Sequence, residues 1–153
     1  MSVAVVRLRG GADLPGDVED TLDMLNLPSV NSFTVVPDEP SYTGMLQKVH
    51  DVVAYGEADA ATVATLLRRR ATTDDGEDVT DDLVDERTDY EDIDALAEAV
   101  VAGETTLRDE GIAPAIGLHP PRGGHGGIKA TVQQGGVVGD HGDDIDDLLG
   151  RMR

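Results

Sequence analysis

Cysteine and tryptophan are absent from the 153 residues, aromatics amount to 3%, and Phe33 is the only phenylalanine. Without cysteine there is no disulfide framework, no thiolate metal site and no thiol nucleophile, and nothing argues for an oxidising compartment. With so few rings the interior must be filled by Val, Leu, Ile and Ala, and aromatic stacking platforms for single-stranded RNA are not expected. Lysine is nearly missing too, being confined to Lys48 and Lys129. No apolar run approaches the roughly 20 residues a helix needs to cross a bilayer, and the apolar start, Met1 to Val6, is too short for a secretory signal. A cytoplasmic protein with no membrane partner is expected. The length suits one domain, or a small domain with an appended second layer.

What is present in excess is acid: 31 carboxylate side chains against 12 basic ones, for a formal charge of -19. Such a balance can signal disorder, but the apolar residues recur at helical and strand periods outside Thr72 to Asp82. Salt is the other explanation. At about 1 M ionic strength the Debye length is roughly 3 Å, so carboxylates stop repelling one another while still holding water and cations. Asp outnumbers Glu 22 to 9 and Arg replaces Lys almost throughout, as a halophilic cytoplasm would favour. Net charge then reports habitat more than partner.

Because acid is the background, the informative segments are those that lack it, since a phosphate-binding face must exclude carboxylates in any habitat. There are three: Met1 to Ala12 with Arg7 and Arg9, Pro40 to His50 with Lys48 and His50, and Gly111 to Gly139 with His119, Arg122, His125 and Lys129. The last is 29 residues long, where the chain average of 31 in 153 predicts about 6 acids. By contrast, Asp74 to Asp94 holds twelve carboxylates and only Arg87 to offset them, so it is expected to face solvent.

Period and punctuation suggest β-α-β-α-β over the first 56 residues. The strands are Val3 to Leu8, Phe33 to Val36 and Val52 to Tyr55. Val18, Leu22 and Leu25 mark a helix capped by Asp17 and stopped by Pro28, and Ser41 opens another that carries Leu46 and Val49. The remainder reads as mostly helical. Asp59 to Arg70 presents Val63, Leu66 and Leu67, with Arg68 to Arg70 in a last turn where the helix dipole or RNA could explain them. Thr88 and Glu91 have capping-box spacing before the stripe Ile93, Leu96, Ala97, Val100 and Val101, which Gly103 ends, and Ile145, Leu148, Leu149 and Met152 form a terminal amphipathic helix.

The segment His119-Pro120-Pro121-Arg122-Gly123-Gly124-His125-Gly126-Gly127 is the most unusual. Prolines stiffen its backbone and glycines clear side chains from around Arg122 and His125, so it can approach another surface closely. With Lys129 following and no acid nearby, phosphate is the simplest chemical target; plain glycine flexibility is the bland alternative. The histidines match no zinc spacing, no Gly-x-x-x-x-Gly-Lys loop or Gly-x-Ser-x-Gly elbow occurs, and the Asp pairs lack the EF-hand pattern. No enzyme, no metal and no cofactor is therefore expected.

A spaced pattern then carries a resemblance. Thr21-Leu22, Leu25, Leu27, Ser32, Thr34, Met45-Leu46, Val49 and Val53, preceded by Val5-Val6-Arg7-Leu8-Arg9-Gly10, resemble the L-thirty family of large-subunit ribosomal proteins. Archaeal members are similar beyond residue 57 as well, including the His-Pro-Pro-Arg-Gly-Gly-His segment at 119–125. Ser29 and Thr43 depart from the family's more basic choices, which weakens phosphate contact there without threatening the fold. The resemblance implies an α+β fold: a β-α-β-α-β core with a small antiparallel sheet, a relative of the ferredoxin-like fold, over residues 1–57. A mostly helical C-terminal extension over 58–153, with its glycine- and proline-rich RNA-binding loop at 111–139, packs beside it. It implies RNA contacts by Arg7, Arg9, Lys48 and His50 on the core and by His119, Arg122, Gly123, Gly124, His125 and Lys129 on the extension. The implied partners are large-subunit ribosomal RNA, the 23S molecule with 5S left open, and neighbouring large-subunit proteins. The competing reading is an acidic protein-interaction module of a halophile, meeting its partner through Asp74 to Asp94.

Overall fold

A computed structural model describes residues 2–10, 14–124, 131 and 134–153. In chain order its elements are β1 (Ser2–Arg7), α1 (Gly16–Met24), β2 (Ser32–Pro37), α2 (Pro40–Lys48), β3 (Val53–Gly56), α3 (Ala60–Arg70), α4 (Asp81–Arg87), α5 (Ile93–Ala102), β4 (Ile116–Gly117), β5 (Gly139–Asp140), a 3-10 turn at Gly142–Asp144, and α6 (Ile145–Arg151). The sheet runs β4-β2-β1-β3-β5 and is antiparallel except where β5 joins β3. The fold is α+β, with the expected β-α-β-α-β order in the first third of the chain.

Strand alternation divides the sheet's side chains between two cores. Val5, Val36 and Val53 point to the face covered by α1 and α2, where they meet Leu22, Leu25, Leu46 and Val49. Ala4, Val6, Phe33 and Ala54 point the other way, onto Leu66 and Leu67 of α3, Leu96 and Val100 of α5, and Leu148 and Leu149 of α6. β1 thus has both faces covered, which explains why its sequence is a continuous apolar run rather than an alternating one. Each large side chain fully withdrawn from water here contributes roughly 1.5–3 kcal/mol.

The extension is not simply packed beside the core. It lays three helices over the sheet's second face and supplies both edge strands, β4 against Ser32 and Phe33 and β5 against Ala54 and Tyr55. β4 covers only the first two residues of β2, and β5 only two of β3. The close approach of β3 to the turn before α6 requires glycine: a Cβ on Gly56 would lie 2.2 Å from the Gly142 carbonyl oxygen.

Three caps differ from those expected. α1 follows Pro15 rather than Asp17, and α2 starts at Pro40 after Glu39 rather than at Ser41. α5 is capped by Asp92, whose carboxylate accepts from the Ala95 amide at 2.8 Å, rather than by Thr88. In each case a proline or a second acid beside the expected residue offered an equally good start, and tertiary packing chose between them. The acid-rich span was also expected to be merely solvated. It contains α4, capped by Thr80, with Val79 and Val84 buried beneath it. Asp81 works there as a structural ligand, accepting from the Ile93 amide at 3.0 Å and from Arg68 at 3.3 Å. These bonds, the Ile93 amide first, hold its carboxyl below the ordinary range.

Candidate nucleic-acid interface

The strand directions give the sheet two distinct ends. At one lie the exit of β1, the starts of β2 and β3, the exit of β4 and the entry of β5. All three acid-free segments reach this end: the first through Arg7 to Gly10, the second through Lys48 to His50 at the end of α2, the third through Leu118, which follows β4, and Gly139, which opens β5. At the opposite end, Asp38, Glu39, Glu57, Asp59, Asp140, Asp143 and Asp144 follow the strand termini. There a groove of about 410 Å³ has Asp38, Glu57, Asp140 and Asp143 on its walls.

Main-chain hydrogen bonds tie the acid-poor end together. The Leu8 and Arg9 amides donate to the Val52 carbonyl at 3.0 and 3.2 Å, Asn31 donates to Arg7 at 2.7 Å, and Leu118 donates to Asn31 at 2.9 Å. Beyond Leu118 the loop is held on the last turn of α6: the His119 amide donates to the Met152 carbonyl at 2.9 Å and the Arg122 amide to the Arg151 carbonyl at 3.0 Å.

Individual cations fare differently. Arg9 is half-buried, while His119 and Arg122 are exposed; among the described residues the Arg122 guanidinium enters no ion pair. His119 donates through Nδ1 to the Pro120 carbonyl at 2.6 Å, which leaves Nε2 for a partner. Lys48 stands 3.5 Å from Asp17, both well exposed. Exposed pairs of this kind are worth about 0–1 kcal/mol and break readily, so the ammonium is still usable. His50 lies 3.3 Å from both the Gln47 carbonyl and the Asp51 carboxylate. His125 and Lys129 lie outside the described residues.

Arg7 has to be corrected. Its side chain is only 4% exposed, and its guanidinium donates to the Leu27 carbonyl, the Arg9 carbonyl and Glu19, each at 3.0 Å. Alternation along β1 sends residue 7 to the same face as Val5, under α1, where a buried cation must be paired. Arg7 therefore braces the turn that carries Arg9 and the loop before β2 instead of meeting a phosphate.

The glycines also act differently from the simplest expectation. Gly123 and Gly124 have φ of +80° and +78°, a region that side-chain-bearing residues rarely adopt, and an added Cβ at either would touch nothing. Their backbone conformation, not lack of space, demands glycine. The Gly124 amide is engaged by the Pro121 carbonyl at 3.1 Å, the His119 and Arg122 amides are held by α6, and the prolines have none. Of the amides from 119 to 124, the Gly123 N–H alone has no protein acceptor among the described residues.

The group Arg68 to Arg70 was open from sequence between the helix dipole and RNA. Arg68 is bound to Asp81 and Asp94, the Asp81 hydrogen bond raising its pKa above the ordinary value, whereas Arg69 and Arg70 are exposed at the end of α3. Arg151 donates to the Gly124 carbonyl across 27 residues, a contact no local pattern announces. Among the described residues no three His, Asp or Glu side chains converge in a way that could hold a metal ion.

Residues 3–53 match the family described as ribosomal protein L30p/L7e. Over 152 residues the chain is 49% identical to the large ribosomal subunit protein uL30 of Haloarcula marismortui, covering 98% of this chain and 99% of the relative. The protein of the same name from Natronomonas pharaonis is 50% identical over the same shares. That from Methanoculleus marisnigri is 49% identical over 151 residues, again 98% and 99%. With similarity of this strength running through core and extension alike, the chain belongs to the ribosomal protein L30p/L7e family.

Proposed function

We propose that this chain is a structural, non-catalytic constituent of the large ribosomal subunit and that it binds large-subunit ribosomal RNA through the acid-poor end of its sheet. The observation that carries this is the gathering of three separate acid-free segments at one end of a molecule with a net charge of -19. The relatives' names supply the particle. Arg122 reaches phosphate oxygens with a planar guanidinium that can donate two parallel hydrogen bonds, assisted by the Gly123 amide, by His119, and by Arg9 and Lys48 on the adjoining surface. Counterion release drives binding weakly when bulk salt is already molar, so shape fit and directional hydrogen bonds matter more, which suits Arg better than Lys. Residues 1–57 form the RNA-binding core and 58–153 the extension that brings the loop to it. The 23S molecule is the expected partner, with 5S RNA and neighbouring large-subunit proteins as further contacts.

Sedimentation of the tagged protein through a gradient at molar salt tests the reading. Co-migration with the large subunit that survives washing supports it; a protein that stays in the soluble fraction refutes it.

A further inference from the structure

Among the ties between the loop and α6, Arg151 makes two. Its carbonyl accepts the Arg122 amide at 3.0 Å, and its guanidinium donates to the Gly124 carbonyl at 2.5 Å, so it holds both sides of the turn containing Gly123. The second guanidinium nitrogen lies 3.6 Å from Asp147, one turn earlier on α6. That carboxylate is 83% exposed, so the pair orients the arginine more than it binds it. α6 is a firm anchor, because Leu148, Leu149 and Met152 are 2%, 0% and 0% exposed. The loop amides in turn satisfy carbonyls at the helix end that lack intrahelical partners.

Loop chemistry makes such a clamp necessary. Two successive glycines at positive φ have many accessible conformations when free, and Arg122 sits immediately before them. Ordering them during RNA binding would cost conformational entropy, whereas a loop already ordered by its own protein avoids that cost.

We propose that Arg151 is the positioning residue of this loop: by holding Gly124 it keeps Arg122 presented to phosphate, without contacting RNA itself. The inference rests on the RNA-binding reading above. It is tested with full-length wild type, Arg151→Ala, Arg122→Ala and the double variant, binding protein-free large-subunit ribosomal RNA over about 1 to 3 M KCl. Arg151→Ala is expected to weaken binding about ten-fold, in line with loss of one charge-assisted hydrogen bond. The slope of log affinity against log salt should stay at the wild-type value, whereas Arg122→Ala should reduce it by about one. The double variant should be no more than about two-fold weaker than Arg122→Ala, because an unpositioned loop has little left to lose. Faster hydrogen exchange at the Arg122 and Gly124 amides of Arg151→Ala should accompany the loss.

Wild-type binding by Arg151→Ala would overturn the proposal, as would a reduced salt slope with fully additive losses, which would make Arg151 a direct phosphate ligand. Either result leaves the RNA reading standing if Arg122→Ala still binds poorly; unaltered binding by Arg122→Ala would remove both. If truncation to alanine disturbs α6, Arg151→Met keeps the buried stem while deleting the donor, and the same outcomes decide.

Discussion

The two ends of the sheet are made by the same strands and buried by the same cores, yet they differ in almost every surface property. At the acid-poor end the Arg7 side chain is enclosed and paired with Glu19, Arg9 is half-buried, His119 and Arg122 are exposed, and the carboxylates of Asp17 and Asp51 lie beside Lys48 and His50. At the acidic end, Asp38, Glu57, Asp140 and Asp143 share one groove. A net charge of -19 spread evenly would repel RNA everywhere. Segregating the acid would make the proposed binding compatible with an acid-rich composition, because at molar salt a carboxylate beyond a few ångströms is screened from a phosphate.

Reversing one charge should break this contrast most. Arg122→Glu puts an acid on the loop proposed to face RNA and is expected to weaken RNA binding about 100-fold with little change in Tm, since like charges would meet where the proposal places a charge-assisted bond. Co-sedimentation at molar salt reads this, and a variant that still co-migrates would locate the interface elsewhere. Next in size, Gly56→Ala forces a methyl to within 2.2 Å of the Gly142 carbonyl oxygen at the acidic end. A loss of about 1–3 kcal/mol in denaturant titration follows from overpacking, while RNA affinity of the folded fraction holds.

Arg7→Ala separates bracing from binding. It leaves the Leu27 carbonyl without its donor and should cost about 1–3 kcal/mol of stability, with no change in the salt slope of RNA binding; a slope reduced by about one would return Arg7 to the interface. Smaller still, the triple change Asp38→Asn, Asp140→Asn, Asp143→Asn should raise Tm at about 0.1 M salt, where the Debye length is roughly 10 Å, and leave it unaltered at about 1 M, where it is roughly 3 Å. RNA affinity at molar salt should not move. The least effect belongs to Tyr55, whose phenol is pushed above its ordinary 10.0 by burial and by Asp140. Its neutral form is favoured in the folded state, so this contribution is complete below pH 10.0 and is lost as pH rises past it. The alkaline decline in Tm should be shallower in Tyr55→Phe.

Much of the fold was readable because period and punctuation agree locally. Leu22 and Leu25, Val63 and Leu67, and Leu96 and Val100 fall at helical spacing and are buried. α4 escaped notice because seven residues with few apolar positions give almost no periodic signal, and its stability comes from Thr80, Asp81 and the burial of Val84. β4 and β5 escaped for a related reason, since two residues carry no alternation and acquire strand geometry only from the neighbour they join. At the candidate site, absence of acid marked segments that the fold brings to one end of the sheet but could not rank their cations. Arg7 and Arg9 look alike in sequence, and the alternation of β1 together with the seating of α1 makes one a brace and leaves the other half-exposed.

Composition and spacing by themselves determined an acid-coated, cysteine-free α+β protein of the L-thirty pattern, with three acid-free segments and a glycine-proline loop, because these depend on residue types and short-range period. Tertiary structure alone decided that the three segments meet at one end of the sheet, that the extension supplies both edge strands, that the His119 and Arg122 amides are held at the end of α6, and that Arg151 reaches Gly124. Those relations join residues tens of positions apart, and a charge or amide is free or engaged only according to what the packed chain brings within about 3 Å of it.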